Sequence, residues 1–209
     1  MTYHDEIPQH FVIDDELWET LEYADLESVC HNCGITYDKS KACYAIPVLN
    51  ETYELFPREK TIVERERGNA PAERYRIELV LFLLHYLLGT TDGPLKGRPV
   101  SEKELKGGEM FFRGPHTLPT QAIARTFGHD PQRLLERGCR LKGKPGNLGD
   151  VSVELSPAPK IPITYVLWAA DEEFPASVSV LFDPTIQEFL PLDIIYGVCI
   201  FTAHRLTEE

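Results

Sequence analysis

Acidic side chains at the ends of apolar runs are the residues of this 209-residue chain whose types and spacing could do chemistry. Asp171, Glu172 and Glu173 follow the apolar run that ends in Trp168, Phe174-Pro175 turns the chain, and the next run, Val178 to Phe182, ends in Asp183. Adjacent carboxylates repel, so three in a row persist only when exposed, hydrogen-bonded or shared by a cation. In extended chain Asp171 and Glu173 point to one side and Glu172 to the other. Asp150 precedes an earlier strand-like run, so acids from three strand ends would converge on one rim of a sheet. Asp150, Asp171, Glu173 and Asp183 would then suit Mg or Ca, which take oxygen ligands, or a general acid/base pair. The competing reading is ordinary solvation of strand ends, with Asp183 before Pro184-Thr185 capping the next turn.

A tryptophan face beside acids suits a flat or cationic ligand, which makes Trp168, Asp171, Glu173 and Asp183, with Arg113 and His116 from an aromatic loop, the candidate ligand-binding set. His85 lies inside an apolar run, where a histidine satisfied by one hydrogen bond is the plainer reading than a proton carrier. Cys30-x-x-Cys33, with Cys43 beyond, is half of a zinc or iron-sulfur spacing or a redox pair, but no second CxxC accompanies it, and buried structural thiols are the simpler expectation. No Ser-His-Asp order, HExxH or GxSxG is present. The loop Leu141 to Asp150 is glycine-rich but runs from a helix toward a strand and lacks the Lys-Ser/Thr ending of a phosphate loop.

The net charge of -12 opposes both nucleic acid and anionic lipid, which require a basic footprint. The densest basic run, Arg133, Arg137, Arg140, Lys142 and Lys144, has no interleaved aromatic and reads as a solvated helix face and loop. Met1 to His10 are mostly polar and net acidic, unlike a signal or transit peptide. The longest apolar run, Leu79 to Leu88, is far short of the ~20 residues of a membrane span. Five cysteines, an odd number set mostly among apolar neighbours, suit a reducing compartment. A cytoplasmic protein with neither nucleic-acid nor membrane partners is therefore expected.

The elements that must position these residues follow from hydrophobic period. Asp14 or Asp15 caps a helix through Leu17, Trp18, Leu21 and Ala24, with the face continuing to a stop at Gly34. From Lys41 the period becomes two, predicting a three-stranded meander through Ile62. Ala72 to Leu88, opened by Pro71 and stopped by Gly89, is apolar nearly all round and must sit at the centre of the core. A turn-rich segment, Thr90 to Pro115, carries Phe111, Phe112, Arg113 and, just beyond it, His116. Helices Leu118 to Phe127 and Pro131 to Cys139, the second capped by Asp130, come next. Strands Val151 to Leu155, Ile163 to Trp168 and Val178 to Phe182 precede a last helix, Leu192 to His204. The expectation is a single α+β domain over 1–209: an N-terminal helix and meander (14–65), a central helical part (71–139) and C-terminal strands and helix (151–206). It would form one mixed, largely antiparallel sheet with a buried central helix and several surface helices.

Leu83-Leu84-His85-Tyr86-Leu87-Leu88, Gly107-Gly108-Glu109-Met110-Phe111-Phe112-Arg113, Gly149-Asp150, Pro159-Lys160-Ile161-Pro162, Trp168 to Pro175 and Leu181-Phe182-Asp183 together resemble the bacterial and archaeal domain-of-unknown-function 3786 family. The resemblance runs from about Ala24 onward, and the acidic turn is its most specific part. It implies context and no activity: such proteins look typical of anaerobes, and some relatives join the domain to an iron-sulfur module similar to that of corrinoid iron-sulfur proteins in one-carbon metabolism. Cys30, Cys33 and Cys43 do not reproduce that module's four-cysteine run. The resulting expectation is a binding or accessory module holding a small ligand or metal ion at the acidic rim. The alternatives are a divalent-metal-assisted hydrolase using the same acids with His85 or His116, and a structural domain that binds a protein partner.

Overall fold

Aspartate caps decide how the chain begins. In this computed structural model, which describes residues 13–72 and 75–208, Asp14 accepts from the Glu16 amide at 3.0 Å and opens α1, Asp15–Glu22. The helix expected to run on to Gly34 stops there, because Asp25 accepts from the Ser28 amide at 2.9 Å and opens α2, Leu26–Cys33. Each carboxylate satisfies a first-turn donor that has no helical partner, so two caps divide one apolar stripe into two helices. Gly34 closes α2 with φ 65°, in the left-handed region. Met1 to His10 lie outside the described residues.

The meander has four strands, one more than expected: β1 (Thr36–Asp38), β2 (Cys43–Val48), β3 (Glu51–Phe56) and β4 (Thr61–Glu64), paired in that order and all antiparallel. Tyr44, Ile46 and Val48 alternate onto the buried face beside Leu55 and Tyr53, as period two requires. The central helix, α3 (Arg76–Gly89), buries Leu79, Phe82, Leu83, Leu84 and Tyr86 completely. Its expected opening at Ala72 takes in residues 73–74, which lie outside the described residues. The following segment carries β5 (Val100–Ser101) and α4 (Gly108–Phe111); Phe112 is buried and Phe111 half-buried.

Then come α5 (Thr120–Phe127), α6 (Pro131–Arg140), β6 (Lys144–Pro145), β7 (Val151–Ala158), β8 (Ile161–Trp168), β9 (Ser177–Phe182), α7 (Ile186–Phe189) and α8 (Leu192–Thr207). Asp130 makes no side-chain cap to α6, contrary to expectation; Pro131 fills the first turn, where a missing N–H costs nothing. β7 and β8 run further into the proline-rich segment than expected. A register shift between Leu155 and Ala158 takes up Pro157, which cannot donate to the ladder.

The chain is α+β, with its strands in two antiparallel sheets in place of the single mixed sheet expected. The second sheet has the order β5-β9-β8-β7-β6. Each set of strands pairs locally through short connections, and β2 and β7 approach without pairing. On the second sheet Val153, Leu155, Ile163, Tyr165, Val180 and Phe182 form the inner face, packed beneath α5, α6 and α8. Ser152, Glu154, Thr164, Val166, Trp168, Ser177 and Ser179 form the outer face. α3 lies against α1, α2, α7 and α8, as a helix apolar on all sides must.

Two ties close the fold around α8. Arg205 makes a two-pronged ion pair with Glu51 at the start of β3, at 2.6 and 2.9 Å. Arg137, in the basic run, donates to the carbonyls of Arg205 and Leu206, both at 3.3 Å, and so satisfies acceptors in the last turn of α8. None of the described helices is long and apolar enough to cross a membrane.

Candidate functional site at the acidic turn

β8 delivers the acidic turn and β9 takes the chain away from it. Trp168 ends β8 opposite Ser177, the first residue of β9. Between them Asp171 closes a tight turn on itself: one carboxylate oxygen accepts from the Glu173 amide at 2.8 Å and the Phe174 amide at 2.7 Å, while the Asp171 amide donates to the Phe174 carbonyl at 3.0 Å. Hydrogen bonds from Phe174 first and Glu173 second hold the Asp171 carboxyl below the usual carboxylate range. Asp150 is spent in the same way, accepting from the Ala169 amide at 2.8 Å.

Asp183 does not join them. Antiparallel pairing sets Phe182 opposite Ile163 and Ser177 opposite Trp168, so Asp183 leaves the sheet at the end where β8 begins. Five strand steps at ~3.3 Å separate the two ends by about 17 Å. Asp183 is 7% exposed and closes a different loop, accepting from the amides of Lys96 (3.1 Å), Gly97 (2.6 Å) and Thr185 (3.0 Å) and from the Thr185 hydroxyl (2.6 Å). The expected convergence of Asp150, Asp171, Glu173 and Asp183 is therefore absent. Among the described residues no three His, Cys, Asp or Glu side chains gather closely enough to hold a metal ion. The physical reason is the register: successive antiparallel strands put consecutive strand ends on opposite rims.

Arg113 and His116 also lie elsewhere. Arg113 pairs with Glu109 at 2.8 Å, and His116 stacks on Phe111 at 4.5 Å and meets Tyr196 of α8 edge-on at 5.5 Å. They precede α5, whereas the acidic turn is seated by Gly128 at its exit; eight helical residues at 1.5 Å each put about 12 Å between those ends. His85 is half-buried on α3, and burial lowers its pKa against the pull of Asp193. Burial pushes the Cys33 thiol up to about 12 and raises Cys30 as well, so neither is a ready thiolate. Cys33 instead donates to the Tyr86 carbonyl at 3.5 Å.

The acidic turn brings Asp171, Glu172, Glu173 and, unexpectedly, Phe174 to one cleft, with Trp168 on the outer face of the strand before it and Asp150 bonded behind it to Ala169. Gln121, Arg125, Gly128 and His129 from α5 and its exit face residues 170–176 across a cleft of about 670 Å³. The turn is seated by the Ala170 amide, which donates to the Gly128 carbonyl at 3.0 Å. A side chain at Gly128 would place its Cβ 2.4 Å from that of Ala176, so only glycine allows this approach. Phe174 is 66% exposed and Trp168 43% exposed. Glu172 and Glu173 make no ion pair with another described residue. The one signal in the sequence for Phe174 was an aromatic placed in a polar turn, which burial alone does not explain.

Asp171→Ala is expected to speed amide hydrogen exchange at Glu173 and Phe174 about tenfold while leaving the global unfolding midpoint in place, because only this turn depends on it. Unchanged exchange would show that the turn closes without the carboxylate.

The family model of a domain of unknown function, DUF3786, matches residues 25–205. No curated protein and no solved structure matches the chain.

Proposed function

Because this chain belongs to the DUF3786 family of domains of unknown function, we propose a function from its geometry alone: a non-catalytic binding module whose acidic turn docks a basic, partly apolar segment of a protein partner in the cytoplasm. The observation that carries this reading is the clamped display of Phe174. Its amide and carbonyl are both held by Asp171 while its ring stands in water. A turn whose backbone is fixed before binding loses little backbone entropy on binding, and aromatic anchors carry a large share of interface energy.

Charge sets the class of partner. Glu172 and Glu173 immediately precede Phe174, and the chain as a whole carries -12, which steers cationic partners toward it and repels acidic ones. Arg125 in the facing wall donates to Gln121 at 2.7 Å and makes no ion pair with Glu172 or Glu173, whose carboxylates stay open to an incoming lysine or arginine. The five free thiols support the reducing compartment.

Selection from a randomised peptide library against the full chain tests this. Bound peptides are expected to be enriched in Lys or Arg next to an aliphatic or aromatic residue, to weaken steeply with added salt, and to lose affinity on Phe174→Ala. Peptides with no basic enrichment, or binding indifferent to Phe174→Ala, would overturn it.

A further inference from the structure

At the opposite end of the same sheet, independent of the acidic turn, we infer a second site: a groove on the outer face, between the loop 95–99 and the loop 144–148, that takes a small organic oxyanion, a carboxylate or phosphate carried on an apolar body. The groove has a volume of about 410 Å³, within the roughly 300–1,000 Å³ of small-molecule sites.

Both walls are fixed without a ligand. Asp183 holds the 95–99 wall through the amides of Lys96 and Gly97. The other wall is held by Ser152, whose hydroxyl accepts from the Leu148 amide at 3.0 Å and whose carbonyl accepts from the Gly146 amide at 2.9 Å. Gly146 lies so close that a Cβ there would come within 2.4 Å of the Ser152 hydroxyl oxygen. Preformed walls mean that little ordering opposes binding.

The polar groups left over can all donate. Arg98 lines the groove, is exposed, and makes no ion pair or side-chain hydrogen bond with another described residue. Asn147 and Thr164 line it and make no side-chain hydrogen bond with another described residue. Of the two carboxylates in the lining, Asp183 keeps its charge but has both oxygens taken up by amides of the 95–99 wall, and Glu154 lies 3.9 Å from Lys144 of the same lining. Arg98 is the lining cation with no ion pair among the described residues, and a guanidinium matches a planar or tetrahedral oxyanion with two parallel hydrogen bonds. Leu95 and Leu148, 39% and 40% exposed, supply the apolar lips. Those lips favour an anion with an apolar body over the bare ion.

Amide chemical shifts of the labelled full chain, titrated separately with phenyl phosphate, benzoate and inorganic phosphate, test the assignment. Expected are saturable shifts confined to residues 95–99 and 144–148 with at least one of the two aromatic anions, and the tighter of the two identifies the headgroup. Inorganic phosphate is expected to bind at least about fivefold more weakly. Arg98→Gln, at an exposed position that leaves the fold intact, is expected to weaken binding about tenfold or more. Absent or non-saturating shifts with both aromatic anions, or affinity unchanged by Arg98→Gln, would overturn the site. Equal binding of inorganic phosphate would overturn the apolar half of the assignment.

Discussion

Arg205→Met is expected to lower the stability of the fold by about 3–5 kcal/mol in urea unfolding, the largest effect of any single change considered. Arg205 is 8% exposed at its side chain and Glu51 is 11% exposed. Its guanidinium also reaches Asn50 at 3.1 Å, while the Tyr53 hydroxyl donates to the same Glu51 carboxylate at 2.9 Å. Glu64 is buried close by, where burial first and the Glu51 charge second raise its pKa. Glu64 keeps Arg67 at 3.4 Å, but deleting Arg205 leaves the Glu51 carboxylate largely out of water without its ion-pair partner, and that uncompensated charge, more than the lost attraction, sets the size of the effect. The pair also joins the β2–β3 turn to the last turns of α8, so the first sheet would loosen from the helix. Adding Glu51→Gln to Arg205→Met is expected to recover part of the loss, because the two sites are coupled. A loss under about 1 kcal/mol would show that water reaches Glu51 freely.

Asp183→Ala is expected to cost about 2–3 kcal/mol, since it strips a charged acceptor from three amides and a hydroxyl at once. The effect should depend on pH in a defined direction. Burial alone would raise the Asp183 pKa, but the hydrogen bonds from Thr185, Gly97 and Lys96 outweigh it and hold the carboxyl below its usual range. A depressed folded pKa contributes stability that is fully present above the unfolded value of about 4 and is lost as pH falls through the folded value. The stability difference between the native chain and Asp183→Ala is therefore expected to be level near neutral pH and to shrink below about pH 4. A difference that grew on acidification would contradict this assignment of the proton.

The parts of the fold that local pattern encodes were legible in the residues. The all-round apolar run of α3 announced a central helix, and alternation marked β2, β3, β7, β8 and β9. Caps are less legible: Asp25 lies within an apolar stripe that predicts one longer helix, because a stripe does not reveal where a backbone donor is satisfied. The acidic rim failed for a different reason. Asp171 and Asp183 both end apolar runs, and nothing local distinguishes neighbouring strand ends on one rim from those on opposite rims; only the antiparallel register does. The local cap from Asp183 to Thr185 was foreseeable from Asp-Pro-Thr, whereas the amides of Lys96 and Gly97 come from 87 and 86 residues away. No local pattern marks Arg98 and Asn147, because the groove between them exists only after two loops fold onto the sheet.

What remains of the acidic stretch is a turn whose aspartates hold its own backbone and whose Phe174, Glu172 and Glu173 face outward. The most direct test is the affinity of a library-selected basic peptide for the native chain and for Phe174→Ala/Glu172→Gln/Glu173→Gln, with Asp171 left intact so that the turn still closes. Loss of about 100-fold in affinity with an unchanged unfolding midpoint is the expected result; affinity within about twofold of the native chain would contradict the docking role of the turn.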